Sequence, residues 1–284
     1  MLRIFKKCIL ILCLSFCFIG CGKQLNKRIT LGMVPGWAEG EAMTMVAQEI
    51  LTRKGYHVVL QKAAPNLLFA SMNNGDTDVY LDVWLPKTHG DKVQRFERIQ
   101  SVGLIYEGAL LGLVVPDYVP IHSIEDLPAH AEAFDSRIVG IERGSGIAAG
   151  TDKAIQDYHL EYQQMNASTV AMISELQKAI QEKKWIVITG WKPHWMFSRF
   201  DLKFLEDPKH AYGEAEHIEA YMRSDLEQDF PDVVRFLKGL YFDDTSLSEL
   251  LSQLESSRDQ KASIREWVDT HPESVDLWWS GKSK

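Results

Sequence analysis

Three tryptophans stand where strand-forming runs give way to Gly or Pro: Trp37 in Pro35-Gly36-Trp37-Ala38-Glu39, Trp84 in Trp84-Leu85-Pro86, and Trp191 in Gly190-Trp191-Lys192-Pro193. The pattern predicts that each follows a strand, over 28–34, 78–82 and 185–189 respectively. In open α/β sheets the loops after the strands' carboxyl ends line the ligand crevice. One such ring plugs a core, but three in equivalent places point to a cavity. Indole faces attract a cation without offering it a hydrogen bond, which suits quaternary ammonium groups. At roughly 0.5–2 kcal/mol per desolvated face, three faces supply on the order of 2–6 kcal/mol, while micromolar binding needs about 8. A second anchor is required.

Gly144-Ser145-Gly146-Ile147 offers one. Backbone N–H groups at a glycine turn that opens a helix converge at its positive end and suit a carboxylate. His89, five residues after Trp84, adds a possible side-chain donor. Cage and amide nest together describe a zwitterion that carries a methylated nitrogen and a carboxylate.

Other chemistries find no support. Gly144, Gly146 and Gly150 have the spacing G-x-G-x-x-x-G, not that of a dinucleotide fingerprint, and the phosphate-loop Gly-Lys-Ser/Thr is absent. Ser145 lacks the flanking glycines of a nucleophile elbow. The nine histidines form neither a His-x-His nor a His-Glu-x-x-His pair. No enzyme constellation, cofactor or metal site is expected.

The elements that must position these residues alternate as in α/β proteins. A helix over 38–54 closes at Gly55, a strand runs over 57–61, and a helix over 65–74 ends at Gly75. A strand over 110–115 and three prolines (116, 120 and 128) precede a second unit. Its strand over 137–142, helices over 150–160 and 168–183, and strand over 185–189 repeat the first unit's order. Gly32 and Gly36 are echoed by Gly140 and Gly144. From residue 217 the pattern is mostly helical and suits a tail that returns to the first unit. The 284 residues, 45% of them hydrophobic, suffice for two lobes. Acidic side chains outnumber basic ones by 39 to 31, which disfavours nucleic acid as a partner.

The N-terminus predicts export. Arg3, Lys6 and Lys7 precede an apolar run over 8–19 that is too short to span a bilayer, as expected of a signal peptide over 1–20. Phe18-Ile19-Gly20-Cys21 resembles a bacterial lipobox, with Phe18 where the pattern usually has Leu. Lipid attachment at Cys21, with 21–28 as a tether, is the expectation, and a plain cleaved signal is the alternative. All four cysteines lie within the first 21 residues, so the body of the protein must fold without disulfides.

The segments 75–89 (GDTDVYLDVWLPKTH), 139–147 (VGIERGSGI) and 188–213 (ITGWKPHWMFSRFDLKFLEDPKHAYG) resemble the glycine betaine and proline betaine binding proteins of ABC importers, of the compact lipoprotein type. The resemblance implies a two-lobed periplasmic-binding-protein-like α/β fold, each lobe a β-sheet flanked by helices, with the ligand in the inter-lobe cleft. It implies lobe I over 29–113 plus 217–284 and lobe II over 114–216. Carried over by motif, the cage is Trp37, Trp84 and Trp191, the carboxylate amides are Gly146 and Ile147, and the side-chain donor is His89. A monomeric protein outside the cytoplasm, working with a permease and an ATPase in osmoprotection, is what such a family member would be. A sensor or interaction lipoprotein on the same fold, or a preference for choline, would use the same cage.

Overall fold

The computed structural model describes residues 27–282. The expectations on the signal peptide and on Cys21 lie outside the described residues.

Among the described residues nine strands form one sheet, eight of them in the order β2-β1-β3-β9-β4-β7-β5-β6 and β8 on β4. The first part runs β1 (Arg28–Met33), helix α1 (Ala38–Arg53), β2 (His57–Lys62), helix α2 (Pro65–Asn74) and β3 (Val79–Leu85). Glycines set its boundaries: Gly55 and Gly75 have φ of +86° and +87° where the two helices end, a left-handed turn that suits a residue without Cβ. β1 pairs in parallel with both β2 and β3, as expected where helices carry the chain back across a sheet.

The second part repeats this order with β5 (Arg137–Gly140), α3 (Gly146–Asp157), β6 (Gln163–Asn166), α4 (Thr169–Glu182) and β7 (Ile188–Lys192), followed by β8 (Leu202–Phe204). β5 likewise pairs in parallel with β6 and β7. Gly36 and Gly144, which the sequence aligned, both have positive φ in the turns that precede α1 and α3.

The two parts share β4 (Ile99–Pro116). Residues Ile99 to Ala109 pair antiparallel with β9 (Glu216–Arg223), and Leu110 to Val114 pair with β7. β9 also pairs with β3. Helices α5 (Pro231–Gly239), α6 (Asp244–Ser256), α7 (Gln260–Thr270) and α8 (Pro272–Trp279) follow, with α6 and α7 against α1 and α5 against β4.

Several boundaries correct the sequence reading. The strand predicted over 110–115 begins eleven residues earlier, because its first half pairs with β9. β9 itself falls where a helical tail was expected. Its alternation of buried Glu216, Ile218, Ala220 and Met222 with partly exposed residues is a strand period, hidden by weak strand formers. α3 starts at Gly146, not residue 150, because the Ser145 side chain caps it by accepting the Ala148 N–H. Trp84 and Trp191 lie inside β3 and β7, each next to last, and do not follow their strands. The strand predicted to end at Asp82 runs on to Leu85. Gly190, within β7, is a glycine of close approach, because a Cβ there would meet Val114 and Met196.

Candidate functional site

The three tryptophans converge. Trp37 at the start of α1, Trp84 on β3 and Trp191 on β7 line one cavity with Glu39, Thr88, Leu111, Ile141, Ser145, Gly146 and Ile147. Each indole is at most 6% exposed. The first half of the molecule contributes Trp37, Glu39, Trp84 and Thr88, the second Ile141, Ser145, Gly146, Ile147 and Trp191, and Leu111 comes from the shared strand.

Every cage indole gives its N–H to a carboxyl group. Trp37 Nε1 donates to Glu142 Oε1 at 2.9 Å, Trp84 Nε1 to Asp82 Oδ1 at 2.7 Å, and Trp191 Nε1 to Glu39 Oε2 at 2.8 Å. These bonds fix each ring about its long axis, so that a face and not the polar edge is left for the cavity. An acceptor on the indole nitrogen also polarises the ring toward a more negative face. The sequence reading missed all three acceptors. Asp82 was legible, since residues two apart in a strand share a face and Asp82 stands two before Trp84. Glu39 is 152 residues from Trp191, and only the fold joins them.

The start of α3 lines the same cavity. Gly146 and Ile147 are its first two residues, whose N–H groups have no intrahelical acceptor. Ser145 spends its hydroxyl on the helix, accepting from the Ala148 N–H and donating to the Glu142 carbonyl. Gly146 is required by a close approach across the cleft, because a Cβ there would collide with the Thr88 methyl.

His89 lies behind the lining, where Thr88 reaches the cavity instead. Its ring is fully buried and stacks parallel on Trp37, with centroids 6.0 Å apart. The Trp84 N–H donates to His89 Nδ1 at 3.0 Å, which leaves the ring hydrogen on Nε2. Burial, with a smaller contribution from Lys92, pushes its pKa down to about 3 and keeps the ring neutral. Nε2 finds no partner in the protein. Thr88 has no hydrogen to spare, because its hydroxyl donates to Glu216, which also accepts the N–H groups of Lys87 and Thr88 at 2.6 and 2.9 Å. Glu216, at the head of β9, thus holds the loop between Trp84 and His89 in place.

Among the described residues, no cluster of three or more His, Cys, Asp or Glu could hold a metal ion, and no helix is long and apolar enough to cross a membrane.

A cavity walled by three indoles and closed by a helix N-terminus agrees with what the chain resembles. The family model for the substrate-binding domain of ABC-type glycine betaine transport systems matches residues 27–270. The chain belongs to this family. It is 40% identical over 156 residues to the glycine betaine/carnitine transport binding protein GbuC of Listeria monocytogenes, an alignment that covers 54% of this chain and 52% of GbuC. The match therefore spans about half the length of that relative. In structure it resembles lactococcal OpuAC in its closed-liganded conformation complexed with glycine betaine, with a TM-score of 0.84 and 29% identity over 89% of this chain and 99% of that one. It also resembles ProX, a glycine betaine/L-proline-binding protein from Borrelia burgdorferi, with a TM-score of 0.84 and 29% identity over 88% of this chain and 96% of ProX. The fold is thus the two-lobed α/β fold of binding proteins of ABC transporters.

Proposed function

We propose that this protein captures glycine betaine, or a closely related quaternary-ammonium carboxylate, outside the cytoplasm and delivers it to the permease and ATPase subunits of an ABC importer. The observation that supports this is the one cavity that Trp37, Trp84 and Trp191 line together with Gly146 and Ile147. The trimethylammonium group packs against the indole faces. The carboxylate takes the N–H groups of Gly146 and Ile147, and His89, behind the lining, backs the Trp37 ring. The lobes comprise 29–113 plus 217–284 and 114–216, and the ligand joins them. Because neither lobe completes the site, the ligand favours the closed form, which the permease reads. Cys21 carries the lipid that holds the monomer at the membrane's outer face.

Calorimetric titration against glycine betaine, proline betaine, choline, carnitine and ectoine tests this assignment. The betaines are expected to bind at micromolar or lower concentration. A response to choline with none to the betaines would leave the α3 amides without a role and move the substrate.

A further inference from the structure

Beneath the cage lie two carboxyl groups whose burial the capture of a zwitterion does not by itself require. Glu39, in the first turn of α1, and Asp82, on β3, are each about 1% exposed. They come together because Gly40 has no side chain: a Cβ there would collide with Asp82 Oδ2. Each accepts one indole N–H, Glu39 from Trp191 and Asp82 from Trp84, and Asp82 Oδ2 has no partner. The groups around them bring no positive charge. Glu41 adds negative charge from α1, Tyr80 presents a buried hydroxyl from β3, and His89 is neutral. Burial, then Asp82, then Glu41 push the Glu39 carboxyl well above its ordinary range, while burial pushes Asp82 to about 7. Two such groups in one apolar enclosure cannot both ionise.

Glu39 also lines the cavity, and its indole partner belongs to the opposite half of the molecule. When the halves part to admit a solute, Glu39 loses Trp191 and gains water. When they close, it is dehydrated again. We propose that the Glu39–Asp82 pair makes closure conditional on a permanent positive charge in the cage. Closure over a neutral group strands a carboxylate in an apolar enclosure or forces it to take up a proton. Closure over a trimethylammonium group places the opposite charge beside Glu39 and offsets the cost of keeping it ionised there. The pair thereby disfavours closure without ligand and rejects solutes that match a betaine in shape but lack its charge. This rests on the reading of the cavity as a quaternary-ammonium site.

Glu39→Gln tests it, because the amide oxygen still accepts the Trp191 N–H and only the charge is lost. Glu39→Met, uncharged and of similar length, provides a second variant should the first not fold. The probes are glycine betaine and its uncharged-head isostere 3,3-dimethylbutyrate, in which carbon replaces nitrogen. Closure is followed by the distance between two fluorophores, one on each half. Wild-type protein is expected to bind betaine and not the isostere. In either variant the preference for betaine should fall by at least roughly tenfold, and the closed population without ligand should rise. Wild-type protein that does not bind betaine would overturn the site assignment itself. Wild-type binding, with variants that keep the full preference and the same unliganded closure, would overturn this inference alone.

Discussion

Trp37 and Glu142 meet across the cleft, the indole of one half giving its Nε1–H to the carboxylate of the other at 2.9 Å. Trp191 and Glu39 make the reverse exchange at 2.8 Å. Each half thus lends a cage ring and receives one, so the geometry that builds the cage also fastens the halves. Glu142→Ala leaves the buried Trp37 N–H without an acceptor, a loss of about 1–3 kcal/mol. Betaine release measured by stopped-flow fluorescence should then be roughly 5- to 150-fold faster, with little change in the association rate. An unchanged release rate would mean that the bond does not belong to the liganded state.

Gly146→Ala places a methyl group against the Thr88 side chain at the point where the α3 amides approach the opposite half. Overpacking of this kind costs about 1–3 kcal/mol. Affinity for glycine betaine should fall by about tenfold or more, while unfolding of the unliganded protein changes little. Adding Thr88→Ser, which removes the offending methyl and keeps the hydroxyl that donates to Glu216, should restore part of the affinity in calorimetry. Failure of the second change to restore any would place the damage elsewhere.

His194, in the Trp191-Lys192-Pro193-His194 segment, sits edge-on to Trp191 with ring centroids 4.7 Å apart, and its Nδ1 accepts the Met196 N–H. Burial pushes its pKa from 6.5 down to about 3. Between those values the unfolded chain binds a proton that the folded chain refuses, so this residue's stabilisation is complete above pH 6.5 and is lost as the pH falls toward 3. His194→Gln retains an acceptor for the Met196 amide and cannot titrate. Its urea unfolding free energy should decline less steeply from pH 6.5 to 4 than that of the wild type, by up to about 1.4 kcal/mol per pH unit. Parallel slopes would show that His194 is protonated in the folded protein.

Local chemistry made the first half of the fold readable. Gly55 and Gly75 close two helices, Pro65 opens one, and the runs between them keep a clear period. What escaped the sequence is what only the assembled sheet explains. β9 reads as polar chain because Glu216 and Glu219 interrupt it, yet it is central: Glu216 is buried to receive the amides of Lys87 and Thr88. The early part of β4 carries Gly103, Glu107 and Gly108 and becomes a strand through its pairing with β9. In the site, the tryptophans were conspicuous by type and position. Two of their carboxyl partners lie across the cleft, more than 100 residues away, where no local pattern could join them. His89 was noticed, but its place behind Thr88 depends on the fold of the loop that Glu216 holds.

Tryptophan fluorescence during titration with glycine betaine, in the wild type and in Trp191→Ala, tests the cage most directly. A saturable change with a micromolar or lower Kd is expected for the wild type, weakened by at least roughly tenfold when the Trp191 face is removed. A wild type whose emission and heat are unaffected by millimolar betaine, or a Trp191→Ala variant that binds as tightly as the wild type, would contradict it.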